Sequence, residues 1–600
     1  MFPRLFLNLC LIVCVEIGGG LFSAQRCLAQ SSSLAESSSE TSDKIEGTVV
    51  NSITHEPIAR ALVSSPDSRF ATLTNSEGHF EFHTGLEASE EIVNAETSGK
   101  SNSTQAVVPN RPYMLMAKKP GFLQSPDNPG KQIQDDTKEV TLALVPEGVI
   151  VGTVSLPTSE PPDSISLILY RRVVQDGSAH YIMAGQSQST SDGQFRFANL
   201  PTGTYKLLTS ELMDRDPLSF DPRGPMYGYP PAYYQNAPDF ASAAAIDVAA
   251  GQTQTVSLSL VKQPYYRVKV PVMAQVEMGL AVNVHANGHK GPGYSLGYNP
   301  ADHAIEGSLP NGNYTIEATG FGQNGVSGNG VQTITIKGAA VDGPSLALTG
   351  NVAIPVLVKE EFTTADQTGR MTWNIEGKNF RIIGPRRYLN IGLEPADEVN
   401  EGPQGGSLKM PTGPDDPLVM EVRGTGKYWV RVSSSRGYAA SVRSGELDLL
   451  HEPLTVGVGG AGPIEVTMRD DWAEISGKVE GLVTGRELGA AAGGMGDQPV
   501  PGERSVDAPS AAHVYFVPLP NSSGQFSQIW VGPDGSFNGG NVAPGAYQLL
   551  AFDREQPQLE YRNAEAMRAY ESKGPVVRVA GGQKERVTLQ LITTEQSAER

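Results

Sequence analysis

The chain has 600 residues, a formal net charge of −19 at pH 7 and 39% hydrophobic residues, and its length predicts about four or more domains. Its 66 glycines and 43 prolines exceed average usage but stay below the level of low-complexity disorder, so the chain can bury cores. Both residue types interrupt helices, which favours short strands and turns. Strong negative charge without a Lys/Arg stripe argues against nucleic-acid binding.

Residues 1–29 have the features of a signal peptide: a positive start, an apolar run over 5–15 and small residues before a cleavage position at Ala29. The run is too short to cross a bilayer, and no apolar run of about 20 residues follows, so no transmembrane segment is expected in the mature chain. The three cysteines all lie in this segment, at Cys10, Cys14 and Cys27. We therefore expect an exported mature chain without disulfides or cysteine chemistry.

Three patterns recur in the same order after a polar, serine-rich leader at 30–43 that predicts flexibility. The first is Ile-x-Gly-x-Val, with its glycine at Gly47, Gly152 and Gly477. The second is a turn followed by Gly-x-Phe, with its glycine at Gly78, Gly193 and Gly535. The third is Leu-Pro-x-Gly-x-Tyr or a variant of it, with its tyrosine at Tyr205, Tyr314, Tyr428 and Tyr547. Short alternating runs with regular turn signals predict an all-β chain of tandem, Ig-like β-sandwich domains.

The recurring patterns divide the mature chain into five predicted units. Their boundaries are 44–146 for unit 1, 148–262 for unit 2, 264–350 for unit 3, 351–470 for unit 4 and 473–595 for unit 5. Unit 4 carries the patterns most weakly, and unit 3 keeps only its Gly-Tyr turn. Each unit is expected to have its own core, so that the five behave as beads on a string.

One segment predicts a helix, as an insertion in unit 5. Asn563 can cap the run 564–571, which is rich in helix formers, and Gly574 follows as a stop. A second local prediction concerns backbone conformation at glycines that precede an aromatic residue by two positions. Positive φ is expected at Gly78, Gly193, Gly203 and Gly545.

The ordered patterns, together with Lys-Lys-Pro-Gly-Phe at 118–122, resemble the carboxypeptidase regulatory-like domain. Units 1, 2 and 5 match it well, and units 3 and 4 loosely. The resemblance implies seven-stranded, transthyretin-like sandwiches, often grouped with carbohydrate-binding-like folds, in an exported accessory or adhesive module. It does not imply peptidase activity, because this domain is the non-catalytic partner in carboxypeptidases.

Two motifs suggest catalysis, but their contexts do not support it. Ser295 lies in a Gly-x-Ser-x-Gly sequence, yet Pro300 follows where a nucleophile elbow needs a regular helix. His303 and Glu306 have the spacing of a zinc pair, with His451 as a distant third ligand, but they precede a β-type turn. We therefore predict that the protein is not an enzyme and that it has no catalytic residues.

The alternating residues His79, Glu81 and His83 would share one face of a strand. Two imidazoles and a carboxylate could bind a metal. The alternative is the solvent face of a strand whose phenylalanines face the core, and we favour it because the sequence offers no fourth ligand. No cofactor is predicted.

The loop of unit 2 holds the strongest candidate for ligand binding. Four tyrosines fall within eight residues of a proline-rich loop, at Tyr227, Tyr229, Tyr233 and Tyr234. Aromatic faces on a rigid loop can stack on sugar rings or peptide prolines, and nearby aspartates, Asp214, Asp216, Asp221 and Asp239, could accept hydrogen bonds from sugar hydroxyls. The alternative is that the tyrosines cover the end of the sandwich.

These features favour an exported, non-catalytic binding or scaffold protein of the periplasm, cell surface or extracellular space. Carbohydrate, as wall or matrix polysaccharide, is the first ligand class, and this rests mainly on the resemblance. The alternative is a structural or adhesive protein whose partners are other cell-envelope proteins.

Overall fold

The computed structural model describes most of the chain after the leader. The described residues are 43–84, 112–125, 130–133, 137–157, 162, 164–214, 226–273, 278–322, 325–365, 372–375, 378–381, 384–399, 405–411, 413, 416–457, 459–482 and 512–593. The expected signal peptide lies outside them, and so does the leader apart from Asp43. Among them, no helix has both the length and the apolar character needed to cross a bilayer.

Unit 1 is described as two facing four-stranded sheets. Their orders are β4-β1-β8-β6 and β3-β2-β5-β7. The strands are β1 (Asp43–Asn51), β2 (Leu62–Ser64), β3 (Ala71–Leu73), β4 (His79–Thr84), β5 (Met114–Lys118), β6 (Phe122–Gln124), β7 (Lys131–Gln132) and β8 (Glu139–Pro146). Thirteen buried side chains, from Ile45 to Leu144, form the core between the sheets.

Unit 2 has a four-stranded and a three-stranded sheet. Its strands are β9 (Gly148–Ser155), β10 (Ser166–Gln175), β11 (Ser178–Gln188), β12 (Gln194–Leu200), β13 (Gly203–Thr209), β14 (Leu212–Met213), β15 (Met226–Tyr229), β16 (Ile246–Val248) and β17 (Thr253–Ser259). The sheets are ordered β11-β10-β13-β16 and β12-β9-β17. The remaining two strands, β14 and β15, belong to the sheet of the next unit.

Unit 3 is built on that shared sheet. Its strands are β18 (Gln263–Pro271), β19 (Gly279–Ala286), β20 (Gly297–Asn299), β21 (Ala304–Pro310), β22 (Gly312–Gly322), β23 (Gly325–Ile336) and β24 (Val341–Asp342). The first sheet is ordered β14-β15-β18-β21-β20, with β24 also paired to β18, and the second is β19-β22-β23. Because β15 pairs with β18, units 2 and 3 share a hydrogen-bonded sheet across the predicted boundary at 262–264.

Unit 4 is dominated by one nine-stranded sheet, ordered β33-β32-β35-β25-β30-β29-β28-β31-β34, and has a separate hairpin, β26-β27. A 3-10 turn at Gly384–Arg387, which the sequence did not predict, precedes β28. The strands are β25 (Val352–Glu361), β26 (Thr372–Ile375), β27 (Lys378–Arg381), β28 (Leu389–Pro395), β29 (Gly405–Leu408), β30 (Val419–Arg423), β31 (Gly426–Ser434), β32 (Tyr438–Ser444), β33 (Leu447–Asp448), β34 (Leu454–Val456) and β35 (Ile464–Arg469).

Unit 5 is a seven-stranded sheet ordered β38-β37-β40-β42-β36-β39, with β41 paired to β40. The strands are β36 (Ala473–Glu480), β37 (His513–Pro518), β38 (Ser527–Trp530), β39 (Ser536–Val542), β40 (Gly545–Phe552), β41 (Val576–Val579) and β42 (Lys584–Ile592). The predicted helix is confirmed as α1 (Ala564–Met567), continued by a 3-10 turn at Arg568–Tyr570. The Asn563 side chain caps it by accepting from the backbone N–H groups of Glu565 and Ala566.

All five units share one arrangement of strands. The first long strand of each unit runs antiparallel to one neighbour and parallel to a later strand. The antiparallel pairs are β1 with β4, β9 with β12, β18 with β21, β25 with β30 and β36 with β39. The parallel pairs are β1 with β8, β9 with β17, β18 with β24, β25 with β35 and β36 with β42. The predicted class, tandem all-β sandwiches, is confirmed, and the exact unit boundaries stay a prediction.

Two of the recurring sequence patterns meet in this arrangement. The glycine of Ile-x-Gly-x-Val lies directly opposite the phenylalanine of Gly-x-Phe, as Gly47–Phe80, Gly152–Phe195 and Gly477–Phe537. A Cβ at Gly152 would lie 2.5 Å from a ring carbon of Phe195 and 2.4 Å from the carbonyl oxygen of Val256. Glycine is therefore required because the aromatic ring covers its Cα while a parallel strand passes beside it.

The third pattern fixes the turn that precedes its strand. Each tyrosine hydroxyl donates a hydrogen bond to the carbonyl oxygen four residues earlier, which ties the strand to its own turn. We call this arrangement a tyrosine corner. The pairs are Tyr205–Pro201, Tyr314–Pro310, Tyr428–Gly424 and Tyr547–Ala543, at 2.5, 3.1, 3.0 and 2.5 Å.

The predicted turn glycines divide into two groups. Gly78 and Gly193 have φ of 71° and 74°, as predicted. Gly203 has a φ of 159°, at the edge of the extended range. The prediction is wrong for Gly545, whose φ is not positive; glycine is needed there because a Cβ would lie 2.5 Å from the backbone nitrogen of Gly524.

Candidate functional site

The tyrosine loop of unit 2 faces largely inward. Tyr229 and Tyr233 are only 1% and 4% exposed, whereas Tyr227 is 40% exposed and Tyr234 is half-buried. Pairing of β15 with β18 turns the loop toward unit 3, where the Tyr233 hydroxyl donates to the carbonyl oxygen of Pro292 at 2.8 Å. The burial of Tyr229 and Tyr233 agrees with the alternative in which the tyrosines cover the end of the sandwich, so neither ring offers an open stacking face. Ligand binding by Tyr227 and Tyr234 stays a prediction.

Two of the four aspartates expected to accept sugar hydroxyls, Asp214 and Asp239, are engaged within the protein. Asp214 forms an ion pair with Lys262 at 2.5 Å. Asp239 accepts from the hydroxyl of Ser242 at 2.6 Å and contacts His289 of unit 3 at 2.7 Å. These hydrogen bonds overcome the effect of partial burial and lower the pKa of Asp239 to about 2. The other two, Asp216 and Asp221, lie outside the described residues.

The metal candidates of unit 1 are brought together only in part. His79 and Glu81 on β4 meet Glu46 on β1, with ligand atoms within 4.8 Å of one another. Lys44 binds both carboxylates of this trio, at 2.9 Å from Glu46 and 2.8 Å from Glu81. The ammonium group occupies the position between the carboxylates that a cation would take, so the cluster is a lysine-centred ion pair. His83 lies on the same strand, at its end.

Ser295 does not sit in a nucleophile elbow. The residues after it form a strand, β20, where the elbow needs a helix. Its backbone N–H and hydroxyl both face the Oε2 atom of Glu211 from unit 2, at 3.4 and 3.3 Å. Burial raises the pKa of Glu211 to about 7, opposed by the Tyr265 hydroxyl and by Ser295. Glu211 is thus a partly buried acid at the junction of units 2 and 3.

The zinc-like pair is also not assembled. Ring nitrogen Nδ1 of His303 faces the Tyr298 hydroxyl at 3.5 Å, while Glu306 binds Lys269 at 2.8 Å. His451 lies at another junction, where it contacts Asp448 at 3.1 Å and the carbonyl oxygen of Ser522 in unit 5 at 2.9 Å. Each candidate ligand thus has a separate structural partner.

The feature that sequence reasoning missed is a junction of three units around the hairpin of β10 and β11. Arg172 on β10 forms a two-pronged ion pair with Glu560 of unit 5, at 2.5 and 2.7 Å. At the hairpin tip, Asp176 binds Arg431 of unit 4 at 3.0 Å. The backbone N–H of Tyr181 on β11 donates to the carbonyl oxygen of Glu398 of unit 4 at 2.7 Å.

Aromatic and cationic groups fill the same junction. The guanidinium of Arg562 lies 4.8 Å from the ring centre of Trp429 in unit 4. The buried Lys206 of unit 2 lies 4.7 Å from the Tyr181 ring and contacts Glu398 at 3.3 Å. A buried cluster includes Val399 of unit 4 among side chains of unit 2. The expectation of beads on a string is therefore wrong for units 2 to 5, because side chains from separate units pack into common contacts. No motif in the sequence marks this hairpin as a junction or indicates its partners.

The comparisons with known proteins are limited to solved structures. No protein-family model matches the chain, and no curated protein matches it. It is similar to the TIE protein of Bacillus anthracis at 12% identity and a TM-score of 0.14, over 57% of this chain and 52% of that one. It is similar to the minor pilin GBS52 of Streptococcus agalactiae at 15% identity and a TM-score of 0.16, over 37% of this chain and 97% of that one.

A third similarity is to the pilus adhesin SpaC of Lactobacillus rhamnosus GG, at 12% identity and a TM-score of 0.15, over 51% of this chain and 43% of that one. This chain thus spans about half of the Bacillus protein and less than half of the Lactobacillus protein. Similarity this low does not extend to ligands or partners.

Proposed function

We propose that the chain is an exported, non-catalytic structural or adhesive protein whose units 2 to 5 form one body that binds other components of the cell envelope. The observation that carries the proposal is the contact of the β10–β11 hairpin with units 4 and 5, centred on Arg172 and Glu560. Together with the sheet that units 2 and 3 share, this junction holds four sandwiches in a fixed relation, which suits a protein that presents an extended surface.

The absence of an assembled catalytic group among the described residues supports the non-catalytic part of the proposal. Ser295 faces a carboxylate and is followed by a strand, and His303 and Glu306 face different partners. A nucleophile needs a base within hydrogen-bond reach, and the base needs an orienting group. His303 and Glu306 do not meet that requirement. Ser295 has the Glu211 carboxyl within reach at 3.3 Å, but the strand that follows it replaces the helix that a nucleophile elbow needs.

The carbohydrate reading and the carboxypeptidase regulatory-like assignment remain further proposals. The recurring glycine–phenylalanine pairs and tyrosine corners explain the sequence patterns that carry the resemblance, and both act on folding. The tyrosine loop gives less support to sugar binding than expected, because two of its four rings are buried. We therefore propose proteins, before carbohydrates, as the partners of the body formed by units 2 to 5.

A binding experiment with treated envelopes tests the proposal. Purified mature chain, labelled on its lysine amines, would be incubated with envelopes of the encoding organism before and after digestion of the envelopes with protease or oxidation with periodate. We expect saturable attachment that protease treatment of the envelopes reduces strongly. No attachment to any envelope would overturn the adhesive role, and hydrolysis of model esters or peptides that is lost in Ser295→Ala or His303→Ala would overturn the non-catalytic one.

A further inference from the structure

Trp530 of unit 5 lies outside the packing that covers the neighbouring aromatic rings. On one face of the sheet, ring contacts run from Tyr561 through Phe526, Tyr515 and His513 to Trp530, with centre distances of 4.0, 5.9, 6.4 and 4.4 Å. Tyr515 is 2% exposed, in a cluster that includes Met567 of α1. Trp530, at the other end of the row, is 66% exposed.

The exposed indole of Trp530 packs against the buried imidazole of His513. His513 lies directly opposite Trp530 in the pairing of β37 with β38, and it is only 4% exposed. The side-chain amide of Gln528 donates to Nδ1 of His513 at 2.8 Å, which leaves the ring proton of the neutral imidazole on Nε2. Burial lowers the pKa of His513, so the ring is neutral at pH 7.

Hydrogen-bonding groups lie next to the indole. The Gln528 amide nitrogen also faces Oε1 of Glu555 at 3.3 Å, so both amide protons are directed within the protein. The carbonyl oxygen of Gln528 and the carboxylate of the exposed Glu555 can then accept hydrogen bonds from a ligand. The site thus combines one open aromatic face with acceptors and a neutral imidazole.

This combination fits a ligand that has an apolar face and hydroxyl groups on its rim. A pyranose ring has both, since its C–H groups can stack on an aromatic face while its hydroxyls donate to amide and carboxylate oxygens. The net charge of −19 disfavours acidic polymers. Addition of a peptide strand is disfavoured because the edge strand, β38, has only four residues.

We propose that Trp530, Gln528 and Glu555 form a contact site for a neutral pyranose unit of an extracytoplasmic polysaccharide. The site is separate from the tyrosine loop of unit 2 and from the three-unit junction. This site adds a ligand class to the proposed adhesive function. It rests on that function only because the chain must be exported to meet such a polysaccharide.

Affinity electrophoresis of the mature chain tests the site. The probes are a mixed-linkage β-glucan, a galactomannan and a xylan, each cast separately into native gels. We expect retardation of the wild type by at least one of them, a loss of affinity of roughly tenfold or more in Trp530→Ala, and a smaller loss in Gln528→Ala. Trp530→Phe keeps an aromatic face and should keep part of the affinity.

Met410→Ala is the matched control, because Met410 of unit 4 is similarly exposed, at 65%, and should not affect retardation. Thermal unfolding midpoints equal to that of the wild type would show that the variants fold. The proposal is overturned if the wild type is not retarded by any of the three polymers, or if Trp530→Ala is retarded as strongly as the wild type.

The envelope attachment assay distinguishes failure of the sugar-site proposal from failure of the proposed adhesive function. If Trp530→Ala still attaches to envelopes in a protease-sensitive manner, the adhesive function is supported. The gels then decide separately whether Trp530 binds polysaccharide. If Trp530→Ala instead loses protease-sensitive attachment while its retardation by polysaccharides is unchanged, the surface binds protein and the sugar proposal is wrong.

Discussion

Arg172 and Glu560 are 388 positions apart in the chain, yet their side chains form a two-pronged ion pair at 2.5 and 2.7 Å. Their side chains are only 31% and 13% exposed, so the pair is shielded from solvent. The contact joins the β10–β11 hairpin of unit 2 to the loop before α1 in unit 5. It fixes the relation between two units that the sequence places far apart.

Removal of one member of this pair should loosen the junction. We expect Arg172→Ala to lower the free energy of unfolding by about 1–3 kcal/mol, because the Glu560 carboxylate is left partly buried without its partner. Small-angle X-ray scattering should show a larger radius of gyration. Arg69→Ala in unit 1 is the control, since its ion pair with Asp67 joins neighbouring residues only. An unchanged radius and stability in Arg172→Ala would contradict the single-body arrangement.

The partly buried Glu211, at the junction of units 2 and 3, predicts a pH dependence of stability. The folded-state pKa of Glu211 is about 7, above its ordinary value of 4.5, so the folded state holds the proton more tightly than the unfolded state. This contribution to stability is fully present below pH 4.5 and is lost as pH rises to 7, a change of roughly 3 kcal/mol.

Glu211→Gln should remove this part of the pH dependence, because the amide cannot ionise. We expect the variant to be more stable than the wild type at pH 8 and close to it at pH 4, measured by urea unfolding. Glu306→Gln is the control with the opposite sign, since Lys269 holds the pKa of Glu306 below its usual value. Parallel pH profiles for wild type and Glu211→Gln would show that Glu211 is ionised in the folded protein.

The turn glycines should differ in their tolerance of substitution. Gly193 has a φ of 74°, and a Cβ there would lie 2.2 Å from the carbonyl oxygen of Val154. Gly193→Val should therefore destabilise unit 2 by about 1–3 kcal/mol or more. Gly203→Ala should cost less, because the nearest atom to its Cβ belongs to the flexible side chain of Arg171, at 3.2 Å. Equal protease resistance of Gly193→Val and wild type would contradict the turn.

The tyrosine corners should contribute stability through their hydroxyls. In unit 5, the Tyr547 hydroxyl donates to Ala543 and accepts from the backbone N–H of Gln525 at 3.0 Å. Tyr547→Phe leaves two buried backbone groups without this partner, so we expect a loss of about 1–3 kcal/mol by thermal unfolding. Tyr227→Phe is the control, because Tyr227 is exposed. A loss of equal size in both variants would contradict the structural role of the corner.

The sequence by itself determined the features that depend only on residues close together in the chain. Strand alternation, the cap of α1 by Asn563 and the positive φ of Gly78 and Gly193 all follow from local backbone preferences and side-chain period. The all-β class followed because the same local signals recur in order. The sequence also located the glycine and phenylalanine patterns, although their pairing across strands became visible only in the fold.

Only the tertiary structure decided which residues from different units meet. The adjacent arginines of β10, Arg171 and Arg172, gave no indication that Arg172 would pair with Glu560, and nothing local indicated that Asp176 would pair with Arg431. The composition of the tyrosine loop left open whether its rings bind a ligand or cover the end of the sandwich, and pairing of β15 with β18 buried Tyr229 and Tyr233. Burial depends on which surfaces pack together across hundreds of residues, and local periodicity carries no information about that choice.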